Sequence, residues 1–182
     1  SECDLCAAGL YTDDPKETAC KPCTAGMHMS DTGATVCTTC EAGFYMDETT
    51  ATQASCKQCA DGHHSSAEAS VCAACPAGTQ ASSDNTKCEA CAAGLWSNEI
   101  GRHFNQPCHN CSVGTYSSAT GVDSQSKCNS CPPGRFSAQA GRSSECDLCA
   151  AGLYTDDPKE TACKPCTAGM HMSDTGATVC TT

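Results

Sequence analysis

The chain is poor in the large apolar side chains from which protein cores are usually built. Leu, Ile, Val and Phe together supply only 14 of its 182 residues, and aromatic residues account for 4%. Chains in which these four residue types fall below about 20% usually stay disordered unless something else holds them together. A conventional hydrophobic core is therefore excluded.

Positive charge and long apolar runs are scarce as well. Ten Lys and Arg face 21 Asp and Glu, which gives a formal net charge of −11. Such a chain repels phosphate backbones and anionic lipid surfaces, so we do not expect nucleic acid as a partner. No apolar run approaches the roughly 18 residues of a membrane span, and no signal-peptide pattern opens this segment. We expect no membrane span in it.

Cysteine is abundant instead. The chain has 21 cysteines, more than the roughly 8–10% that marks a disulfide scaffold. Covalent cross-links then replace the missing core. Because disulfides persist only in oxidising compartments, the composition predicts an extracellular or cell-surface protein.

The sequence also contains a large and perfect repeat. Residues 1–39 recur without a single change as residues 144–182. We interpret residues 1–143 as one full tandem repeat and residues 144–182 as the start of the next identical repeat. The natural polypeptide is then expected to continue in both directions.

A smaller module recurs inside the large repeat. Every cysteine except the last belongs to a Cys-x-x-Cys pair, and eight such pairs fill each repeat of 143 residues. A glycine follows three residues after the second cysteine of each complete pair. These glycines are Gly9, Gly26, Gly43, Gly62, Gly78, Gly94, Gly114, Gly134, Gly152 and Gly169. We expect either a turn with positive φ at each of them or a backbone that approaches a disulfide too closely for a Cβ.

The residue two positions after the glycine is Tyr, Phe, Trp, His or Gln. A ring at this position is expected to lie over the neighbouring disulfide. The polar stretches between pairs are too short and too polar for helices, which predicts irregular loops with short β pieces. The predicted fold class is a linear rod of small disulfide-rich repeats of about 18 residues, with no hydrophobic core, in which each module touches only its neighbours.

The sequence pattern of the module resembles that of a known family. Cys-x-x-Gly-x-Tyr-Ser followed by Cys-x-x-Cys, as in CSVGTYSSATGVDSQSKCNSC and CPPGRFSAQAGRSSECDLC, resembles the ephrin-receptor-like cysteine-rich repeats. It is also similar to the first loop of tumour-necrosis-factor-receptor modules and to cysteine-rich surface antigens of protists. The second cysteine pattern of tumour-necrosis-factor-receptor modules is absent, so the ligand-binding role of those receptors is not carried over.

The resemblance implies a disulfide pairing, in which the second cysteine of each pair bonds to the first cysteine of the next. The implied bonds are Cys6–Cys20, Cys23–Cys37, Cys40–Cys56, Cys59–Cys72, Cys75–Cys88, Cys91–Cys108, Cys111–Cys128, Cys131–Cys146, Cys149–Cys163 and Cys166–Cys180. Cys3 is left over and is expected to bond to the preceding repeat. A ladder that joins Cys3 to Cys20 and Cys6 to Cys23 stays open, since counting does not exclude it. Closing a loop of about 15 residues removes roughly 3 kcal/mol of unfolded-state entropy, so one bridge per module can replace a core.

Metal binding and redox chemistry are the competing interpretations of the cysteine pairs. Two pairs separated by about 15 residues approach the spacing of a zinc ribbon or a rubredoxin-like iron site. The intervals here run from 12 residues (60–71) to 16 residues (92–107), partly below that range. The glycine and ring that follow every pair favour disulfides, and no helix or α/β domain supports a thioredoxin-like role. We predict no catalytic, metal or cofactor site.

Histidines and carboxylates have structural explanations in the module pattern. Three histidines, His28, His64 and His171, occupy the position of the ring. Three others, His63, His103 and His109, lie in polar sequence with no recurring carboxylate or nucleophile and are predicted to be solvated. The carboxylates Asp13, Asp14, Asp47 and Glu48 lack the spacing of a calcium loop and are predicted to form a solubilising face. Weak calcium binding between neighbouring units is an alternative that the sequence leaves open.

Glycans are the modification that the sequence favours. Asn110 fits the N-glycosylation pattern in Asn110-Cys111-Ser112, and Asn129 fits the rarer form that ends in Cys131. Both patterns include a half-cystine, so an unused acceptor is the alternative, and it weighs more at Asn129. Forty Ser and Thr residues offer further positions for O-linked sugar.

These features together predict a function. Identical units suit an assembly that makes the same contact at every step, whereas a binding or catalytic chain gains nothing from perfect copies. The sequence therefore predicts the structural building block of an extracellular fibril or of a cell-surface or flagellar hair, glycosylated and self-associating. The alternative is the ectodomain of a surface antigen or receptor that binds a protein ligand. No enzyme activity is expected, since no nucleophile, acid–base pair or cofactor loop recurs.

Overall fold

A computed structural model describes residues 5–14, 16–17, 19–48 and 55–182 of the chain. Ten disulfide-closed modules follow one another, and we number them 1 to 10 by their glycines, from Gly9 in module 1 to Gly169 in module 10. Cys3 lies outside the described residues.

Regular secondary structure consists of short antiparallel strand pairs, one pair in each of the first nine modules. In chain order the strands are β1 Leu10–Tyr11, β2 Lys21–Pro22, β3 Met27–His28, β4 Thr38–Thr39, β5 Phe44–Tyr45, β6 Lys57–Gln58, β7 His63–His64, β8 Ala73–Ala74, β9 Thr79–Ala81, β10 Cys88–Ala90, β11 Leu95–Trp96, β12 His109–Asn110, β13 Thr115–Tyr116, β14 Asn129–Ser130, β15 Arg135–Phe136, β16 Asp147–Leu148, β17 Leu153–Tyr154 and β18 Lys164–Pro165. Each odd-numbered strand pairs with the even-numbered strand that follows it. In module 10 a single antiparallel bridge joins His171 to Thr181.

A tight turn opens every module. In module 1 the N–H of Leu10 donates to the carbonyl of Ala7 at 3.0 Å, and Gly9 between them has φ +84°. This arrangement is a type II turn, whose third residue needs a positive φ and therefore favours glycine. The equivalent hydrogen bond recurs in every module as far as Met170 N to Thr167 O, so the turn explains the invariant glycine.

The strands and a disulfide close the module. The N–H of Cys23 donates to the carbonyl of Gly9 at 3.2 Å, beside the pair formed by Leu10 with Pro22 and Tyr11 with Lys21. The disulfides are Cys6–Cys20, Cys23–Cys37, Cys40–Cys56, Cys59–Cys72, Cys75–Cys88, Cys91–Cys108, Cys111–Cys128, Cys131–Cys146, Cys149–Cys163 and Cys166–Cys180. Their Cα–Cα distances lie between 5.6 and 5.9 Å, within the usual range. The pairing is the sequential one that the resemblance implies.

The loops between strands are irregular, as their polar composition predicts. Within the described residues the one helical piece is a 3₁₀ turn at Gln125–Lys127. The apolar side chains that are buried are mostly half-cystines. Cross-links therefore occupy the positions that aliphatic side chains fill in a conventional core.

The chain divides into two compact units, each made of more than one segment of the sequence. The first contains Ser1–Cys75, Ala81–Glu89 and Gly101–Asn105, and the second contains Pro76–Gln80, Ala90–Ile100 and Gln106–Thr182. Within both units the successive modules are held by the same kinds of contact.

Candidate functional site: the contacts between modules

In eight of the ten modules the N–H of the turn glycine donates to a carbonyl of the next module. Gly26 N donates to Met46 O at 2.9 Å in the first unit, and Gly94 N donates to Ser117 O at 2.8 Å in the second. The acceptor always lies three residues after the glycine of the following module. These backbone bonds do not depend on side-chain identity, so modules of different sequence can stack in the same way.

The residue three positions after each glycine, here called the stacking residue, is the most regularly buried side chain outside the cystines. Its identity is Thr12, Met29, Met46, Ser65, Ala81, Ser97, Ser117, Ser137, Thr155 or Met172. Met46 is only 1% exposed, and Ser97 and Ser137 are fully buried. The sequence reasoning overlooked this position, although the restriction to Ser, Thr, Ala and Met was visible.

In seven modules a backbone N–H of the loop donates to the carbonyl of the second cysteine of the pair that opens the preceding module. Gly101 N donates to Cys75 O at 2.7 Å, and Lys159 N donates to Cys131 O at 2.9 Å. Both donors have positive φ, 72° and 67°. The second cysteine of a pair is therefore fixed through its disulfide and through its carbonyl, which explains why this half-cystine is the more buried one.

Modules also contact their second neighbours, so the expectation that each touches only its sequence neighbours is wrong. A Cβ at Gly114, in module 7, would overlap the carbonyl oxygen of Lys159, in the loop of module 9. The same overlap occurs between Gly26 and Glu68, and between Gly94 and Gly141. Close approach is thus a second reason for glycine, and the approaching group is a loop carbonyl rather than a disulfide.

Residues 1–39 and their identical copy, residues 144–182, show which surfaces of a module are covered by the modules that follow it. Gly26 and Gly169 occupy the same local sequence and have φ of 82° and 86°. Glu68 lies against Gly26, whereas no atom lies within 4 Å of a Cβ at Gly169. Met29 is 7% exposed, and its counterpart Met172 is half-buried. The environment of a residue therefore depends on the modules stacked on it as well as on its own module.

The side chain two residues after the glycine lies beside the disulfide of the next module, as the sequence predicts for a ring. His64 Nδ1 is 3.2 Å from Cys88 Sγ and 3.9 Å from Cys75 Sγ. Tyr11 and Cys37 line one surface groove, and their copies Tyr154 and Cys180 line another.

Lysine side chains bridge pairs of carboxylates on the surface. Lys21 Nζ lies 2.8 Å from Asp13 and 2.9 Å from Glu17. The identical second copy repeats this contact, with Lys164 at 2.7 Å from Asp156 and 3.1 Å from Glu160. The hydrogen bond from Lys21 lowers the pKa of Asp13, and the two carboxylates raise the pKa of Lys21.

Lys57 makes the corresponding bridge in module 3. It contacts Asp47 at 2.8 Å and Glu48 at 3.1 Å, and its hydrogen bond lowers the pKa of Asp47. Three of the four carboxylates considered for calcium, Asp13, Asp47 and Glu48, thus have a lysine partner. Asp14 accepts a hydrogen bond from Lys16 N at 2.8 Å.

Two of the histidines predicted to be solvated face carboxylates. His103 Nε2 lies 3.2 Å from Asp61, and His109 Nε2 lies 3.8 Å from Glu99. His109 also packs against the Trp96 ring, with 5.1 Å between ring centroids.

Two groups of side chains have the composition of a metal site within the part of the chain that the structure describes. In the first, His64 lies beside Cys75 and Cys88, whose sulfurs are bonded to each other and are not thiolates. In the second, Asp156 and Glu160 share Lys164, whose charge occupies the position that a cation would take. Neither group fits a resident metal.

Both predicted acceptor asparagines are exposed and lie on strands. Asn110 ends β12 and Asn129 begins β14. The carbonyl of Asn110 accepts a hydrogen bond from Trp96 Nε1 at 3.2 Å, while its side chain lies over Gly141. Ser112, which completes the pattern, is also exposed.

The fold and its recurring contacts define a class of protein, the extracellular proteins built from small disulfide-bonded repeats. Residues 100–145 match the family described as tyrosine-protein kinase ephrin type A/B receptor-like. The ten disulfide-closed modules are similar to ephrin-receptor-like cysteine-rich repeats, and the disulfides together with this similarity indicate an extracellular or cell-surface protein. No curated protein matches the chain. Among the described residues, no helix is long and apolar enough to cross a membrane.

Proposed function

We propose that these repeats form the structural building block of an extracellular fibril or a cell-surface or flagellar hair. The observation that carries this proposal is the recurrence of the same stacking contacts within both units of a chain whose residues 1–39 are copied without change as residues 144–182. An assembly that adds identical units needs identical contacts at every step. Binding to a ligand at one site would need only one copy of the residues concerned.

The contact pattern suits a load-bearing element. Each module is closed by its own disulfide, bonded through backbone groups to the next module, and packed against the module after that. The Gly114 turn, for example, donates to Ser137 O at 2.8 Å and lies under Lys159. Opening one module therefore requires contacts in two others to break. Resistance to proteolysis and to local unfolding follows from this arrangement.

Self-association along or beside the array belongs to the same proposal. The acidic net charge of −11 opposes close lateral packing at low ionic strength, because exposed like charges repel over a Debye length. We infer that assembly is more favourable at physiological salt than at low salt. Glycans at Asn110 and on exposed Ser and Thr would further separate neighbouring arrays. Catalysis is not part of the proposed role.

Electron microscopy of native material tests the proposal. We expect filaments with a regular axial repeat that corresponds to the 143-residue unit. Compact monomers at all salt concentrations would overturn it. Reduction of the disulfides supplies the control, since it should abolish the axial repeat without cleaving the polypeptide chain.

A receptor-like or antigenic ectodomain is the second candidate, and the match of residues 100–145 to the ephrin-receptor-like family favours it. This function predicts a monomeric ectodomain that is released from cells by cleavage of a membrane or lipid anchor. Sedimentation of the released material separates the two candidates, because a fibril subunit sediments as a polymer and an ectodomain as a monomer.

A further inference from the structure

The disulfide Cys75–Cys88 of module 5 has an imidazole nitrogen beside both of its sulfurs. His64 Nδ1 lies 3.2 Å from Cys88 Sγ and 3.9 Å from Cys75 Sγ. The same nitrogen is 3.1 Å from the carbonyl oxygen of Ala73. A carbonyl can only accept a hydrogen bond, so this contact places a proton on Nδ1, the nitrogen that faces the disulfide.

The two half-cystines differ in exposure. Cys75 is completely buried, whereas Cys88 is half-buried. Cys88 is therefore the half-cystine nearer to solvent and the one assigned to attack by an incoming thiolate, with Cys75 Sγ as the leaving group. The rate of such an exchange depends on how well the leaving thiolate is stabilised.

We propose that Cys75–Cys88 is a preferred site of thiol–disulfide exchange, and that His64 is its positioning and stabilising residue. A thiolate attacks Cys88 Sγ, a new sulfur–sulfur bond forms, and the Cys75–Cys88 bond breaks. The electron pair passes to Cys75 Sγ, which carries the negative charge away from the attacking sulfur. The Nδ1–H of His64 then turns from the Ala73 carbonyl to this thiolate. The co-reactant is a thiol, either a small molecule or a cysteine of another protein, and the product is a mixed disulfide at Cys88.

The neighbouring module offers a matched comparison within the same molecule. Cys59–Cys72 and Cys75–Cys88 both close loops with a sequence separation of 13 residues, and their Cα–Cα distances are 5.7 and 5.6 Å. Tyr45 of module 3 takes the position of His64 relative to this bond, and it lines a groove together with His63 and Cys72. A phenol has no N–H group. Loop size and Cα–Cα distance are therefore matched, and the residue two positions after the preceding glycine differs.

The test is a time course with reduced glutathione on the intact 182-residue chain, followed by alkylation of free thiols and peptide mapping of each bond. Hydrogen bonds to charged groups are strong enough to favour opening of Cys75–Cys88 over Cys59–Cys72 by about tenfold. His64→Phe should remove this preference, and it should fold because Phe136 occupies the equivalent position in module 8. His103→Phe removes an imidazole that faces Asp61 and should leave the preference unchanged.

A reciprocal variant separates the effect of the imidazole from differences in local stability. Tyr45→His places the same ring beside Cys59–Cys72 and should accelerate the exchange of that bond. Equal opening rates for the two bonds in the unmodified chain would overturn the proposal, and so would a preference that survives His64→Phe. Neither outcome depends on whether the chain forms filaments.

Discussion

The two identical copies permit a direct measurement of what second-neighbour stacking contributes to stability. Gly26 and Gly169 share local sequence and backbone conformation, with φ of 82° and 86°. Changing either to Ala places a side chain at positive φ, which costs about 1 kcal/mol. Gly26→Ala must also displace the Glu68 loop, whose carbonyl the new Cβ would overlap. Overpacking of this kind costs roughly 1–3 kcal/mol more.

The expected total is about 2–4 kcal/mol for Gly26→Ala and about 1 kcal/mol for Gly169→Ala. Native-state hydrogen exchange of the 182-residue chain, read by mass spectrometry, resolves the two sites. Glu68 N donates to Cys40 O at 2.9 Å, so its amide should lose protection by about 10- to 100-fold in Gly26→Ala. The Gly169→Ala variant is the matched control and should leave that amide unchanged. Equal, small losses in both variants would refute second-neighbour packing as a source of stability.

Three further predictions follow from the same contacts. Met29→Ala should destabilise its module by about 2–3 kcal/mol because the side chain is buried, whereas Met172→Ala should cost less; equal losses in local hydrogen exchange would contradict the burial difference. In an NMR titration, Asp13 should have a pKa below the ordinary aspartate value, and Lys21→Met should raise this pKa. Because the pKa of Asp13 is lowered in the folded state, the ion pair stabilises the module above the pKa of the unfolded state. This stabilisation is lost as the pH falls through the pKa of the folded state. Asn110→Gln should remove one N-linked glycan from secreted material, and an unchanged mass would show that the acceptor is unused.

The repeat explains why so much of this fold is predictable from sequence. Glycine at a fixed distance from each cysteine pair predicts either a turn with positive φ or a close backbone approach. The type II turn at Gly9 is the first of these. The ring beside a disulfide was also anticipated, as His64 and its two sulfurs illustrate. Both predictions concern residues fewer than about 30 positions apart, where the covalent chain itself limits the alternatives.

The burial of the stacking residues, in contrast, could not be predicted from the sequence. Met46 and Ser97 have unrelated chemistry and no pattern of hydrophobicity connects them, yet both are buried because the next module covers them. Polarity alone places serine on the surface. Ser65 is buried nevertheless, because its hydroxyl donates to Phe44 O at 2.8 Å and this hydrogen bond satisfies the buried polar group.

The sequence by itself determined the module, its cysteine pairs, its glycine turn and the perfect repeat of residues 1–39 at 144–182. These are local or countable properties, because a turn, a loop closure and a copied segment can all be read from spacing. Only the tertiary structure decided that a module contacts its second neighbour, through a loop carbonyl that lies against a glycine such as Gly114. No spacing encodes that contact, since it depends on the rotation from each module to the next, which is set by backbone hydrogen bonds between modules.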